Sequence, residues 1–365
     1  MLLEHGHQVR CYTRSSVELE AMRFGKVRAF FSGFHNPASV REVKKVVEEF
    51  MPDVVHIHNL YPLVSPAILP HIRKFGVPVV MTVHNYRLVC PNGLFYNRTG
   101  ICEECAGGKE WNCARFNCEE SLPKSIGYAL RNAWARLARY YLDNVDAFLC
   151  LTEFQKQKLI DNGFARDRCF VLPNFFDGKL NTTAVGGGKN TGTYVAFAGR
   201  ISKEKGINLL YSAARLLPDI SFRIAGKVAD PVFFDKKPDN VELTGLLSEE
   251  KLQDFYANAT LFILSSVCYE GFPMVILEAM NFGLPVIVPR LGGMPEIVRD
   301  GVTGRTYEPG NCEDLVKAIK ELWHDKKAAF SMSRSSHEEL IRNYLPEVYY
   351  KGLVGIYGKL KKGPV

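Results

Sequence analysis

Apolar residues along this chain follow two rhythms. Runs of about four to eight residues, rich in β-branched and aromatic side chains, read as buried strands. Between them, apolar positions recur every three or four residues, as on one face of a helix. In the first half the strand-like runs are "QVRCYT" from Gln8, "VRAFF" from Val27, "DVVHIHN" from Asp53, "VPVVMTVHN" from Val77 and "DAFLCLT" from Asp146. "ASVREVKKVVEEF" (Ala38–Phe50) keeps Val43, Val46, Val47 and Phe50 on one helical face, and "TEFQKQKLIDNG" (Thr152–Gly163) continues the alternation. Strands alternating with helices predict a parallel sheet covered on both sides.

"LNTTAVGGGKNTG" (Leu180–Gly192) breaks the pattern; polar and glycine-rich, it reads as a flexible linker. A second series follows: "TYVAFAG" from Thr193, "ISFRIAG" from Ile220, "NVELTG" from Asn240, "TLFILSS" from Thr260 and "PVIVP" from Pro285. "SEEKLQDFYANA" (Ser248–Ala259) opens with a Ser cap and acidic residues, a helix start. The expected architecture is two open α/β domains, at 1–174 and 193–345, joined by a linker over 175–192 and facing a cleft. A helix over 346–365 is expected to pack back on the first domain.

With 365 residues there is room for two domains, and 47% hydrophobic composition is ordinary for a globular chain. No run approaches the roughly 18 apolar residues of a membrane span, and "MLLEHGHQV" has no basic segment leading into an apolar one. A reducing, cytoplasmic setting is therefore expected, in which the N-x-[ST] matches at Asn97, Asn181 and Asn258 are chance. The net charge of +7 serves solubility first, with a weaker pull on anionic ligands or a lipid surface. No nucleic-acid-binding motif is present, so nucleic acid is not an expected partner.

Two loops carry the chemistry. "CYEGFPMVILEAMNFGLPVIVP" (Cys268–Pro289) sets Glu270 and Glu278 at the two ends of seven mostly apolar residues, between two strand-like runs. Gly271 and Pro273 predict a turn into a helix with Pro at an early helical position, leaving Glu270 in the loop and Glu278 about one and a half turns inside. Loops that follow strands in such sheets are where ligands bind. In "FAGRISKEKG" (Phe197–Gly206), Gly199 permits a tight exit from a strand, while Arg200 and Lys205 bring positive charge to a helix start, an arrangement suited to phosphate. The plainer reading is a solvated loop whose two cations pair with acids such as Glu204.

Taken together, "GRISKEKG", "EGFPMVILEAM", "GGMPEIVRDGVTGRTYEPG" (Gly292–Gly310), "PNFFD" (Pro173–Asp177) and "VVMTVHN" resemble, in content and order, the retaining glycosyltransferases of the GT-B type, family 4 (glycosyl transferases group 1). The resemblance implies two Rossmann-like domains facing a cleft. It also implies transfer of a sugar from a nucleotide-diphosphate donor to the hydroxyl of a saccharide or lipid-linked acceptor, in the synthesis of cell-surface polysaccharide or glycolipid. The implied donor-binding residues are Gly199, Arg200, Lys205, Glu270, Gly271, Phe272, Met274, Val275 and Glu278. Arg200 and Lys205 would neutralise the departing diphosphate. Glu270 would face the sugar hydroxyls, Glu278 the ribose, and the N–H groups near Phe272, Met274 and Val275 would meet phosphate or sugar. His84, which ends "VVMTVHN", would approach the donor sugar and completes the implied catalytic set of His84, Glu270, Arg200 and Lys205; His56 and His58 of "VVHIHN" compete with it. Asn174 and Asp177 read as hinge residues or turn formers. The implied step is a front-face displacement in which a leaving phosphate oxygen takes the acceptor proton, requiring no metal or other cofactor, and no Asp-x-Asp pair is present to hold one.

Similar chains open with a strand and a glycine-rich loop ahead of a phrase like "LLEHGHQV", and this chain begins at that phrase. Its first domain is thus expected to lack its first, central strand, with strand edges exposed and part of the active site missing. A sugar-nucleotide epimerase of related architecture and an inactive sugar-nucleotide-binding protein are the rival readings.

The segment at 90–118, "CPNGLFYNRTGICEECAGGKEWNCARFNC", holds five of the ten cysteines, Cys90, Cys102, Cys105, Cys113 and Cys118. The C-x-x-C spacing of Cys102 and Cys105 before Gly107 and Gly108 fits a structural zinc held by four of the five; free thiols are the alternative, and a reducing compartment argues against disulfides. Following His84, the insert is expected on the acceptor side. In "SIGYALRNAWARLARYYLDN" (Ser125–Asn144), Arg131, Arg136 and Arg139 mix with Tyr128, Trp134 and Tyr140 at helical spacing. Such a helix either makes peripheral contact with an anionic membrane or packs its aromatics into its own domain.

Overall fold

A parallel sheet covered on both faces buries nearly every position of its central strands. The computed structural model describes residues 1–15, 17–18, 25–181 and 192–361; most of the predicted linker lies outside these described residues. The chain clusters into two compact units, Met1–Pro173 with Tyr349–Val365, and Asn174–Val348. Each holds one parallel sheet, giving the two Rossmann-like α/β domains that the alternation predicts.

In the first unit, β1 (Val55–Ile57), β2 (Val79–Val83), β5 (Ala147–Cys150) and β6 (Cys169–Val171) pair in the order β1-β2-β5-β6. All residues of β2 and β5 are buried. A two-residue antiparallel pair, β3 (Tyr96–Asn97) and β4 (Gly100–Ile101), lies in the cysteine-rich segment. The helix Pro37–Phe50 starts on Asn36, whose side chain accepts the Ser39 N–H, and it buries Val40, Val43 and Val47.

Two predicted strands are absent. "VRAFF" is part of the helix Gly25–Phe34. Val27, Phe30, Phe31 and Phe34 follow the helical spacing i, i+3, i+4, i+7, and this period outweighs the β-branched and aromatic composition. "QVRCYT" forms no strand, and its residues are mostly exposed. A strand needs a neighbour to take its backbone hydrogen bonds, and β1, an edge strand among the described residues, pairs with β2 alone.

In the second unit the strands are β7 (Tyr194–Ala198), β8 (Ser221–Ala225), β9 (Val241–Gly245), β10 (Ala259–Ile263), β11 (Val286–Pro289) and β12 (Gly304–Tyr307). Their order is β12-β11-β10-β7-β8-β9, and every pair is parallel. The chain steps outward from β7 to β9, then returns to lay β10 against the other side of β7. The β7/β10 boundary is the topological switch point, where loops diverge and ligands bind in such sheets. The helix Glu249–Ala257 forms as predicted, yet Ser248 makes no side-chain capping bond.

His56 ties β1 to its surroundings. One ring nitrogen lies 2.7 Å from Thr82 Oγ1 on β2, and the other lies 2.7 Å from Tyr357 Oη on the helix Pro346–Lys361. Burial, followed by the neighbouring His58 and His84, pulls the His56 imidazole down to about 3. The folded state therefore keeps this ring neutral where the unfolded chain, near 6.5, takes up a proton, so stability is full above about pH 6.5 and falls as pH drops toward the folded value. The expected loss is about 1.4 kcal/mol per pH unit for one such histidine. Urea unfolding of the protein at pH 7, 6 and 5 should show a shallower acid decline in His56→Gln; an unchanged slope would contradict this assignment.

Candidate active site

Because β7 and β10 are parallel neighbours, their C-terminal loops leave the same edge of the sheet. Backbone contacts then knit the loops together. Ser265 Oγ donates to the Lys205 carbonyl (2.8 Å), and the Val267 N–H donates to the Glu204 carbonyl (3.0 Å). Gly206, at φ 71°, permits this approach, since a Cβ there would stand 1.8 Å from the Ser265 oxygen. The single turn Lys203–Lys205 is thereby pressed against the loop that carries Glu270.

Lys205 Nζ lies 2.6 Å from Glu270 Oε1, and Ser266 Oγ donates to the same oxygen. Both charges are largely shielded, at 21% and 13% exposure. Arg200 is 55% exposed and reaches Glu204 at 2.5 Å, the pairing that the plainer reading assigned to it. The charges of Glu270, Lys205, Glu204 and Arg200 all act on the thiol of Cys268, which burial first and Glu270 next push up to about 12. Arg200 therefore belongs to the same cluster while remaining open to solvent. Gly199, at φ 146°, turns the chain out of β7, and its N–H donates to the Ala225 carbonyl.

The helix after Glu270 runs Met274–Asn281. Pro273 stands at its N-cap, one place outside the predicted position, and offers no capping side chain, so the first-turn N–H groups of Met274 and Val275 have no intrahelical partner. Gly271 lies in the preceding loop, whereas Phe272 turns inward, buried against the Tyr344 ring at 5.9 Å. Glu278, in the second turn, accepts the Tyr256 hydroxyl at 2.7 Å. Lys205 and Glu270 thus meet directly, while Arg200 and Glu278 hold separate partners. Ser266, Glu204 and Tyr256 were not among the predicted site residues. For Ser266 the signal was its place at the end of the "TLFILSS" run, four residues before Glu270.

In the first unit, His84 follows β2 and hydrogen-bonds His58, Nε2 to Nδ1, at 2.8 Å. His58 stacks on His56 with ring centroids 4.6 Å apart. Burial lowers the His58 and His84 imidazoles, the latter also through the His58 charge. Three histidines thus form one array where the sequence offered three competitors; the i, i+2 spacing of His56 and His58 already placed two on one strand face.

The cysteine-rich segment has a very small core, Cys105 and Cys113 with Ala129, against which Cys118 and Tyr128 pack. The Cys113 thiol is hydrogen-bonded to Cys118, which raises the first and lowers the second. Charges on Cys90, Cys118 and Cys102 add to burial in raising Cys105. The five thiols therefore share one neighbourhood, yet among the described residues no three His, Cys, Asp or Glu side chains are placed to hold a metal ion.

The predicted basic helix also differs from expectation. It runs Leu122–Leu137, breaks at Arg139 (φ 51°) and resumes at Tyr140–Asn144. Its arginines are not a free basic face. Arg131 is buried between the rings of Tyr61 and Tyr128, Arg136 pairs with Glu110 and Arg139 with Asp143. The exposed face is apolar instead: Leu122, Ile126, Leu130 and Trp134, spaced by four, are 53%, 41%, 51% and 49% exposed.

Two family models match the chain in series, Glycosyltransferase Family 4 over residues 1–179 and Glycosyl transferases group 1 over residues 182–339. With the two Rossmann-like domains, these make the chain a glycosyltransferase of the GT-B class. It belongs to the family 4, group 1 glycosyltransferases. Sulfoquinovosyl transferase SQD2 of Arabidopsis thaliana is 33% identical over 150 residues, covering 40% of this chain and 29% of the relative. The uncharacterized glycosyltransferase MJ1178 of Methanocaldococcus jannaschii is 24% identical over 314 residues, covering 83% and 87%. The lipopolysaccharide core biosynthesis glycosyltransferase LpsE of Rhizobium meliloti is 26% identical over 220 residues, covering 57% and 62%. Among solved structures, Anabaena Alr3699/HepE in complex with UDP and glucose superposes with a TM-score of 0.63 at 17% identity, covering 88% of this chain and 81% of that one. Among the described residues no helix is long and apolar enough to cross a membrane.

Proposed function

We propose that this glycosyltransferase moves a sugar from a nucleoside-diphosphate donor, with uridine as the first base to test, to the hydroxyl of a saccharide or lipid-linked acceptor, with retention of configuration. The observation that carries the reading is the Lys205–Glu270 pair at the β7/β10 switch point, beside a helix start with no capping side chain. Breaking the bond from the anomeric carbon to the phosphate oxygen leaves negative charge on the diphosphate, and fixed cations aimed there lower the barrier. Arg200 exchanges Glu204 for the diphosphate, while Glu270 holds Lys205 extended and offers its second oxygen to the sugar hydroxyls. The Met274 and Val275 N–H groups add donors, and Glu278 takes the ribose. The acceptor oxygen bonds to the anomeric carbon on the face that the diphosphate leaves, and the acceptor proton passes to the leaving phosphate oxygen. His84 helps to position the sugar. With these cations in place, the step invokes no metal.

HepE with bound UDP and glucose shares the fold, and LpsE, named for lipopolysaccharide core synthesis, is a relative; both support the donor and acceptor classes proposed. A screen of nucleotide sugars for thermal stabilisation identifies the donor. With that donor, Lys205→Ala should lower kcat by about 10²–10³-fold, measured as nucleoside diphosphate released with acceptor present. A loss under about threefold would remove the assigned role.

Peripheral membrane contact is proposed for the apolar face of the helix Leu122–Leu137, on which Trp134 is suited to a headgroup boundary. Vesicle flotation should fall several-fold in Leu130→Glu; equal flotation, or none by either protein, would refute it. A structural zinc held by four of Cys90, Cys102, Cys105, Cys113 and Cys118 is proposed separately. Support comes from the shared neighbourhood of the thiols and the small core around them. Metal analysis of the purified protein should find one zinc per chain; none would leave free thiols.

A further inference from the structure

Arg131 and Arg87, two guanidinium groups of the first unit with no carboxylate partner among the described residues, both line the surroundings of Tyr61. Arg131 is 6% exposed, packed 3.9 Å from the Tyr61 ring centroid and 4.3 Å from that of Tyr128. Among the described residues its hydrogen bonds are long ones to the Pro91 carbonyl (3.4 Å) and Asn132 Oδ1 (3.5 Å), and its Nε has no partner. Arg87, three residues beyond His84, is the second. Its carbonyl accepts from Asn132 Nδ2 at 2.6 Å, and its side chain passes over Gly93, where a Cβ would stand 2.6 Å from Arg87 Cγ. The Arg87 charge acts unfavourably on both Arg131 and Lys124. Arg131 is buried with no carboxylate partner among the described residues, and a charge so placed calls for an anion nearby to offset it.

The space for one adjoins these groups. A cavity of about 280 Å³ is lined by Tyr61, Arg87, Asn132, Arg136 and Arg139 among others. It shares Tyr61, Arg87 and Tyr141 with a smaller cavity of about 20 Å³ that His58 and His84 also line. Arg136 and Arg139 are committed to Glu110 and Asp143, so Arg87 is the cation in this wall left for a ligand. The larger cavity is near the low end of the size range of small-molecule sites, enough for a phosphate and a ring rather than a polymer.

We propose that this cavity is an acceptor subsite for a phosphorylated compound, with Arg87 holding the phosphate beside the His58–His84 pair. The inference rests on the glycosyltransferase reading, in which the donor diphosphate is already assigned to Arg200 and Lys205. Arg87 offers a planar fork matched to two phosphate oxygens, while Arg131, behind Tyr61, adds positive potential without contact. The phosphate comes either from a soluble sugar phosphate or from a lipid headgroup.

Equilibrium dialysis of the full chain against radiolabelled inorganic phosphate, at constant ionic strength, tests the proposal. The wild-type protein should bind at two sites. Arg87→Gln should weaken one site at least about tenfold and leave the other, and Lys205→Ala should do the reverse. Phosphate binding by a folded Arg87→Gln equal to wild type would overturn the subsite. Two unchanged sites in Lys205→Ala would instead count against the donor assignment alone. If Arg87→Gln fails to fold, Arg87→Lys, which keeps the charge but loses the fork, should still weaken the same site several-fold; unchanged binding would again overturn the subsite. Arg87-dependent binding to phosphatidic acid–phosphatidylcholine vesicles, absent with phosphatidylcholine alone, would assign the phosphate to a lipid. Arg87-dependent phosphate binding with no Arg87-dependent binding to either vesicle would assign it to a soluble acceptor.

Discussion

Parallel pairing of β7 with β10 is the constraint from which the proposed donor site follows. Two strands that run the same way, side by side, deliver their C-terminal loops to one place, and the reversal of winding there keeps the loops from being covered by a crossover helix. Gly206 then lets one loop backbone touch the other, so Lys205 and Glu270, 65 residues apart in the chain, meet at 2.6 Å. A lysine held this way has lost most of its conformational freedom before any ligand arrives. The ordering cost has been met during folding, which is how preorganised charge contributes to catalysis.

The two cations of this loop have different histories and different tasks. Lys205 is shielded and shares its carboxylate partner with Ser266, so its position is over-determined. Arg200 is open to solvent on Glu204, a pairing of the kind that contributes little to stability and exchanges readily. One charge is fixed and the other mobile, a division that suits a ligand that must enter, react and leave. In the first unit the charge problem is reversed, because Arg131 has no carboxylate partner among the described residues and is held by two tyrosine faces and long bonds to a carbonyl and an amide oxygen.

Much of this was legible from the amino-acid order. The runs at β2, β5, β7, β10 and β11 are nearly continuous apolar stretches, and such stretches have few alternatives to a buried strand. The meeting of the two loops at the β7/β10 boundary was foreshadowed by glycine, basic residues and glutamate placed at strand ends. The segment "VRAFF" has the composition of a strand, but Val27, Phe30, Phe31 and Phe34 recur at helical spacing, and the period is the stronger signal. "QVRCYT" has strand-like residues but no adjacent strand, and pairing is a long-range property that no local pattern encodes. The partners Tyr256 of Glu278 and Glu110 of Arg136 were hidden for the same reason, being 22 and 26 residues away in the chain. The helix Leu122–Leu137 shows the limit of counting charges, since its arginines are neutralised or buried and its exposed stripe is apolar.

The central claim is that the second unit grips its ligand by the diphosphate, through Arg200 and Lys205. Calorimetric titration of the chain with UDP and with uridine isolates that contribution, because the two differ only in the charged tail. UDP should bind at least about tenfold more tightly, an advantage that the Arg200→Ala/Lys205→Ala double variant removes. Detectable binding of both ligands with equal affinity in the wild-type protein, or an advantage that survives the double substitution, would contradict the account.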